Sequence, residues 1–271
     1  MKFKIAVVQF EIRQFSPDEN MRRVEMFIKE ASSLKSQVIV FPEDFLTGPI
    51  RGDKAFVDYD RKYAKLFQTL AKKYKIDIVT GSWIEGKKTG WYNTAYYIDS
   101  NGRIKGTYRK TNLWLGERSY LTPGNELCVF NTKYGKAGLV VCWDLAFPEI
   151  FRRMTVKGVK IIYCPSLWYL TEKGKIFMNY AENRHVDALC AARAFENEII
   201  MVYCGAAGRI KKKNTTELAV GHSQIAAPFA GPLKKLDHNR EEMFVQEIDM
   251  NILEKAEKCY RIRSDIKNRI F

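Results

Sequence analysis

Residues 137–150 have the sequence Ala-Gly-Leu-Val-Val-Cys-Trp-Asp-Leu-Ala-Phe-Pro-Glu-Ile, which joins a strand pattern to a helix start. The apolar run that ends at Val141 is short and rich in β-branched residues, which predicts a buried strand. Pro148 and Glu149 predict the start of a helix, because proline is tolerated and acidic side chains are favoured in a first turn. Cys142 therefore lies on a strand-to-helix turn at the rim of a sheet.

The thiol of Cys142 has two interpretations from this turn alone. Amides at a helix start favour the thiolate, which is the nucleophilic form of cysteine. Free cysteine is also among the residues most often buried for packing alone. The turn does not distinguish a reactive thiol from a packed one, so the choice needs a second observation.

Short apolar runs alternate with amphipathic stretches on both sides of this turn, and no linker rich in Ser, Pro or Gly divides the chain. Strands are predicted at 3–10, 38–41, 76–80, 92–99, 103–108, 159–164, 199–204, 219–227 and 243–248. Helices are predicted behind a capping box at Ser16–Glu19, over 56–70, and near 148–157, 176–196 and 250–259. Strands that alternate with helices predict an α/β fold with helices covering the faces of a sheet.

Composition narrows the class of protein. The 271 residues are 46% hydrophobic, which excludes general disorder, and no apolar run is long enough to cross a bilayer. The N-terminus is too short and strand-like for a signal peptide. The six cysteines are scattered and there are three histidines, so we expect neither a disulfide framework nor a metal, and a cytoplasmic location. We also expect no cofactor.

The net charge of +14 permits nonspecific attraction to nucleic acid or to anionic surfaces. The basic residues are spread along the chain, and no recognised nucleic-acid motif accompanies them. The run at 211–213 is typical of a solvated loop tip. We therefore expect no specific nucleic-acid partner and no membrane partner.

Three reactive side chains follow three strand-like runs. Glu43 follows 38–42, Lys110 follows 104–109 and Cys142 follows the run that ends at Val141. In α/β sheets ligands bind beyond the carboxyl ends of strands, so these side chains can converge on one site. Taken one at a time, Glu43 also suits a helix cap or loop acid, and Lys110 a solvated cation. Their joint placement favours function.

The segments around these residues resemble the three signature blocks of the nitrilase superfamily of carbon-nitrogen hydrolases. The blocks are Phe41-Pro42-Glu43, Tyr108-Arg109-Lys110 and Val141-Cys142-Trp143-Asp144 with Phe147-Pro148-Glu149. The similarity covers nearly the whole chain in the family's order. It implies one domain over 1–271 with a four-layer α-β-β-α sandwich. It also implies a hydrolase that acts on a nonpeptide C–N bond without a metal or an organic cofactor.

The resemblance also implies roles for the reactive residues. Cys142 would attack the carbonyl of a small amide or carbamoyl compound and form a thioester, with Glu43 as the general base and acid. Lys110 and the backbone amide of Trp143 would stabilise the oxyanion. Glu117 matches an additional glutamate of the family that orients Lys110, and the alternative for Glu117 is a surface ion pair with a neighbouring arginine.

Departures from the family pattern bear on the substrate. Many members have arginine four residues beyond the nucleophile, where it can bind a substrate carboxylate, and this chain has Ala146. This departure argues against an ω-amide or carbamoyl amino acid whose carboxylate binds to that arginine. Phe45, Trp143 and Trp168 are predicted to line the substrate pocket, although Phe45 and Trp168 also suit a core.

Three alternatives stay open beside hydrolysis of an amide. They are nitrile hydrolysis, acyl transfer from the same thioester, and an idle scaffold of the same fold. The resemblance implies a homodimer or larger homo-oligomer. The tail at 259–271 is expected either at a subunit interface or as a frayed terminus.

Overall fold

Two six-stranded sheets form the centre of this computed structural model, which describes residues 1–170, 181–211 and 215–268. The strands are β1 (Lys2–Gln9), β2 (Val38–Val40), β3 (Asp77–Lys87), β4 (Gly90–Ile98), β5 (Ile104–Arg109), β6 (Cys128–Thr132), β7 (Gly135–Leu139), β8 (Ile161–Ser166), β9 (Tyr169–Leu170), β10 (Ile200–Gly205), β11 (Arg209–Lys211), β12 (Thr216–Ala219), β13 (Gln224–Ala227), β14 (Gly231–Lys235) and β15 (Glu242–Asp249). The helices are α1 (Pro17–Ser33), α2 (Lys62–Tyr74), α3 (Pro148–Val156), α4 (Glu182–Asn197), α5 (Asn251–Tyr260) and α6 (Ile262–Asn268).

The first sheet has the order β15-β1-β2-β3-β4-β5, and the second has the order β14-β13-β10-β8-β7-β6. In the first sheet β1, β2 and β3 are parallel, and in the second β7, β8 and β10 are parallel. Parallel strands are buried on both faces, which explains the continuous apolar sequences of β2 and of the first half of β10. A small sheet, β11-β12-β9, lies beside them.

Alternate residues of β1 show how the layers stack. Ile5 and Val7 pack into the core shared with the second sheet, whereas Ala6 and Val8 pack against the face covered by α1 and α2. Side chains of a strand point alternately to its two faces, so β1 contributes to both cores. Helices α3 and α4 cover the outer face of the second sheet. The predicted four-layer α-β-β-α sandwich is confirmed.

Two local predictions about helices were wrong in detail. Ser16 precedes α1, but its hydroxyl donates to the carbonyl of Gln14 and makes no capping hydrogen bond. The second helix begins at Lys62 rather than near residue 56, because Arg61 is left-handed and the carboxylate of Asp58 accepts from the amides at the helix start. The hydrophobic pattern of the sequence did not show that Asp58 caps the second helix.

The strand predicted at 219–227 is two strands, β12 and β13. Gly221 and His222 between them have positive φ angles of 68° and 52°, outside the range of regular β-strands. The helix predicted near 176–196 begins at Glu182, after the non-helical Ala181, and residues 176–180 lie outside the described ranges. The run at 211–213 likewise falls mostly outside them.

The tail folds back on its own chain as far as residue 268. Arg263 in α6 donates to the carbonyl oxygens of Val159 and Glu198, at 2.9 and 3.2 Å. The alternative of a frayed terminus is therefore wrong for α6, while the predicted subunit interface stays a prediction. No helix in the described ranges is long and apolar enough to cross a membrane.

Candidate active site

Cys142 begins a 3-10 turn, Cys142–Ala146, that follows β7 and leads into α3. Its φ angle is +48°, a left-handed conformation that costs energy for a residue with a Cβ atom. The residue is 6% exposed and its thiol interacts with Glu43 and Ser166. The strand-to-helix turn predicted from the sequence is confirmed, with a strained residue at its apex.

Glu43 follows β2 and is 2% exposed. Its Oε1 accepts hydrogen bonds from Lys110 Nζ at 2.8 Å and from Asn93 Nδ2 at 2.9 Å. Its Oε2 accepts from the amide of Leu167 at 2.8 Å. These contacts hold the carboxylate beside the thiol in one orientation.

Lys110 follows β5, and its ammonium is buried between two carboxylates. Nζ donates to Glu43 at 2.8 Å and to Glu117 at 2.7 Å. Burial lowers the pKa of Lys110, but the charges of Glu117 and Glu43 outweigh burial and raise the pKa well above its ordinary value. Since an ammonium has three N–H donors, one is left for a substrate oxygen.

Glu117 opens a 3-10 turn and contacts three groups. Besides Lys110, its carboxylate accepts from the amide of Trp114 at 2.6 Å and from Asn93 Nδ2 at 3.1 Å. The arginines considered as alternative partners point elsewhere. Arg118 donates to a backbone carbonyl, and the guanidinium of Arg109 lies over an aromatic ring. Glu117 therefore contacts the Lys110 ammonium, and its role in orienting Lys110 stays a prediction.

The surroundings of Cys142 act against the effect that the amides of a helix start have on a thiol. Burial and the charge of Glu43 raise the pKa of the Cys142 thiol well above its ordinary value, although Lys110 opposes them. Burial also raises the pKa of Glu43.

The backbone amide of Trp143 is available to a ligand. The first hydrogen bond of the 3-10 turn is donated by Asp144 to the carbonyl of Val141 at 3.1 Å. The amides that precede it, those of Cys142 and Trp143, have no acceptor within the turn. The predicted pairing of this amide with Lys110 as oxyanion donors remains a prediction.

Two polar residues of the site had no predicted role. Asn93 bridges Glu43 and Glu117, and its backbone carbonyl accepts from the amide of Lys110 at 2.9 Å. Asp144 is fully buried and accepts from the amide of Val141 at 2.9 Å. Both lie inside segments that resemble the family, which was the available signal, but their partners are distant in sequence.

Two of the predicted pocket residues, Trp143 and Trp168, belong to one cluster of indole rings. The ring of Trp143 lies 4.4 Å from that of Trp114 and 5.2 Å from that of Trp168. Trp168 is 7% exposed, and its indole nitrogen donates to Glu182 at 2.7 Å. These three rings form one cluster that includes the residue after the nucleophile, and the roles of Trp143 and Trp168 in binding stay a prediction.

Phe45, which was predicted to line the substrate pocket, lies in the core instead. Its side chain is fully buried, and its ring packs against Phe10, Phe41 and Phe67 at centroid distances of 6.2, 5.9 and 5.9 Å. These rings belong to the core between the first sheet and its helices. Phe45 follows Glu43 by two residues, but the chain turns between them, so its ring supports the site from behind rather than lining it.

A cluster away from the thiol resembles a cation site. Ligand atoms of Asp187, His222 and Asp237 lie within 4.8 Å of one another. Lys235 Nζ is 2.9 Å from Asp187 and 2.7 Å from Asp237, so an ammonium already holds the position of a cation. We assign no metal to this cluster.

Comparisons with known proteins agree with this geometry. The sequence model of the family named Carbon-nitrogen hydrolase matches residues 4–258. The chain is 31% identical over 276 residues to the 2-oxoglutaramate amidase of Bacillus subtilis (strain 168), with 100% of each chain covered. It is 26% identical over 283 residues to the omega-amidase NIT2-B of Xenopus laevis, covering 100% of this chain and 97% of that protein.

The fold has a close counterpart among solved structures. Nit3 of Saccharomyces cerevisiae, a member of branch 10 of the nitrilase superfamily, aligns with a TM-score of 0.82 and 25% identity, over 96% of this chain and 94% of that chain. The chain therefore belongs to the carbon-nitrogen hydrolase family, and it is an enzyme that hydrolyses nonpeptide C–N bonds of the amide class.

Proposed function

We propose that the chain hydrolyses a small linear amide through a thioester on Cys142. The observation that supports this most directly is the buried network in which Lys110 bridges Glu43 and Glu117 beside the thiol. An amide is a poor electrophile, so it needs a nucleophile, a base and a charge that stabilises the oxyanion. This network supplies each of them.

In the first step the thiol proton passes to Glu43 as Sγ attacks the carbonyl carbon. The raised pKa values of both groups fit this order, because the thiol stays protonated until a substrate arrives and the carboxylate can hold the proton it receives. The carbonyl π electrons move to oxygen and form a tetrahedral oxyanion.

The oxyanion would accept from the third N–H of Lys110 and from the amide of Trp143. A donor of this kind contributes about 3–4 kcal/mol to transition-state stabilisation. When the C–N bond breaks, Glu43 returns its proton to the nitrogen, and ammonia leaves. Glu43 then removes a proton from water as the water oxygen attacks the thioester. When the C–S bond breaks, Glu43 passes that proton to the sulfur, which releases the acid and restores the thiol and the carboxylate.

The test is ammonia release by wild type and by Cys142→Ala, with intact-mass spectrometry during turnover. We expect the wild-type protein to gain the mass of the acyl group. The variant should lose that adduct and lose activity by about 10⁴-fold or more while keeping its circular dichroism spectrum. Cys259→Ala is the matched control, since Cys259 is exposed. Full activity in Cys142→Ala would exclude the mechanism.

The substrate panel should include short aliphatic amides, ω-amido acids, carbamoyl amines and a nitrile. The names of the relatives make ω-amido acids the reference class. Product analysis with added hydroxylamine separates hydrolysis from acyl transfer, because transfer would yield a hydroxamate.

We further propose a cytoplasmic homo-oligomer with residues 259–271 at a subunit interface. Its support is the family resemblance and the docking of α6 through Arg263. Light scattering on the full chain and on a chain ending at residue 258 tests it. We expect fewer subunits per particle for the shorter, still folded chain. An equal number of subunits per particle would contradict the interface.

A further inference from the structure

A second carboxyl group, that of Asp44, is buried next to the general base. Asp44 is 6% exposed and has a φ angle of +50°. Its carbonyl accepts from the amide of Gly48 at 2.7 Å, and its amide lies 3.3 Å from Ser82 Oγ. The backbone is thus held by a tight turn, which restricts where the carboxyl can lie.

One oxygen of this carboxyl lacks a partner in the described part of the chain. Its Oδ1 is buried and accepts no hydrogen bond from any group in the described ranges. A buried polar atom without a partner costs about 1–3 kcal/mol, and native proteins tolerate few of them. Such an atom at the edge of a reaction site indicates that a ligand supplies the missing partner.

Asp44 directly follows Glu43, whose carboxylate accepts a hydrogen bond from Lys110 at the reaction site. Burial and the charges of Glu43 and Glu117 raise the pKa of Asp44 well above its ordinary value.

The charges of this environment are unbalanced. Glu43 and Glu117 share the ammonium of Lys110, which donates a hydrogen bond to each. The structure gives Asp44 no comparable contact. Position 146, four residues beyond the nucleophile, is alanine and supplies no positive charge for a substrate carboxylate.

We propose that Asp44 binds an ammonium group of the substrate, so that the preferred amide carries an alkylammonium substituent rather than a carboxylate. The inference rests on the proposed function and adds the substrate class to it. An ammonium beside Asp44 would favour the ionised carboxylate, whereas a substrate carboxylate at the same place would disfavour it.

The experiment measures kcat/KM for three amides of similar length that differ in charge. They are 4-aminobutanamide, pentanamide and succinamic acid. We expect the cationic amide to exceed the neutral one by tenfold or more, and the acid to be the poorest substrate. This ranking is obtained on the wild-type protein, so it does not depend on the folding of any variant.

Asp44→Asn then assigns the preference to the residue. We expect the ratio of kcat/KM for the cationic amide to that for the neutral amide to fall by about 10–100-fold, because a charged hydrogen bond is lost. Asp60→Asn is the matched control, since it is the same chemical change at an exposed position, and it should keep the wild-type ratio.

Equal kcat/KM for the cationic and neutral amides in wild type would overturn the inference and leave the proposed function standing. So would an unchanged ratio in Asp44→Asn. Absence of ammonia release from all three amides, together with absence of an acyl adduct on Cys142, would overturn both proposals.

Discussion

The hydroxyl of Tyr108 donates a 2.8 Å hydrogen bond to Asp144 and so joins the two sheets of the sandwich. Tyr108 lies in β5, two residues before Lys110, and Asp144 lies two residues after Cys142. Asp144 also accepts from the backbone and side-chain amides of Asn112, both at 2.9 Å. One carboxylate therefore sets the position of the lysine segment relative to the thiol.

Asp144→Ala should lower the free energy of unfolding by about 2–4 kcal/mol, because it leaves several buried donors without an acceptor. We also expect kcat to fall by at least 100-fold. Urea unfolding and steady-state kinetics measure the two effects. Tyr108→Phe removes the link between sheets and the weaker contacts of the same hydroxyl with Thr111. It should lose about 1 kcal/mol of stability and keep more of the activity. Unchanged kcat in Asp144→Ala would contradict this role.

Glu117→Gln should lower kcat by about 10–100-fold with little change in KM, because Gln keeps the shape but removes a charge that holds Lys110 in place. Glu117 raises the pKa of Lys110. Its removal should therefore move the alkaline limb of the pH–rate profile to lower pH. Glu126→Gln, an exposed change of the same kind, should leave the profile where it is. A purely structural role for Glu117 would not move that limb.

The acid limb of kcat/KM should report Glu43. Burial raises the pKa of this carboxyl above its ordinary value of 4.5. Attack on the amide needs the carboxylate as base, so activity should rise with pH through a midpoint above 4.5. The profile should be recorded with a neutral amide, whose own charge does not change. A midpoint at or below the ordinary value would show that another group limits the reaction.

Asp44→Asn should stabilise the substrate-free protein at neutral pH. A carboxyl whose pKa is raised on folding binds its proton more tightly when folded, so its contribution is present at low pH and is lost as the pH rises. Replacing the carboxyl with an amide removes that loss. We expect a gain of about 1–3 kcal/mol at pH 8, shrinking towards pH 4.

Urea unfolding of wild type and Asp44→Asn at both pH values measures this effect. Asp60→Asn again serves as the exposed control and should change little. Equal or lower stability of Asp44→Asn at pH 8 would indicate that the carboxyl has a stabilising partner in the folded protein.

Several site residues could be predicted from their positions along the chain. Glu43, Lys110 and Cys142 each follow a strand-like run, and the carboxyl ends of strands in an α/β fold open on one edge. Their contacts in the structure fit that expectation. By contrast, Phe45 lies near Glu43 in sequence, yet its ring points into the core. Position in sequence does not determine which way a residue faces after a tight turn.

The sequence by itself determined the alternation of strands and helices, the strand ends and the candidate nucleophile, base and cation, because alternation and apolar runs are local properties of the chain. The four layers were implied by the family resemblance. Only the tertiary structure decided the surroundings that raise the pKa of Cys142 and the link through Asp144. It also decided that Lys110 is shared by two carboxylates, while Oδ1 of Asp44 has no partner in the described ranges. These depend on burial and on distances between segments far apart in sequence, which no local pattern contains.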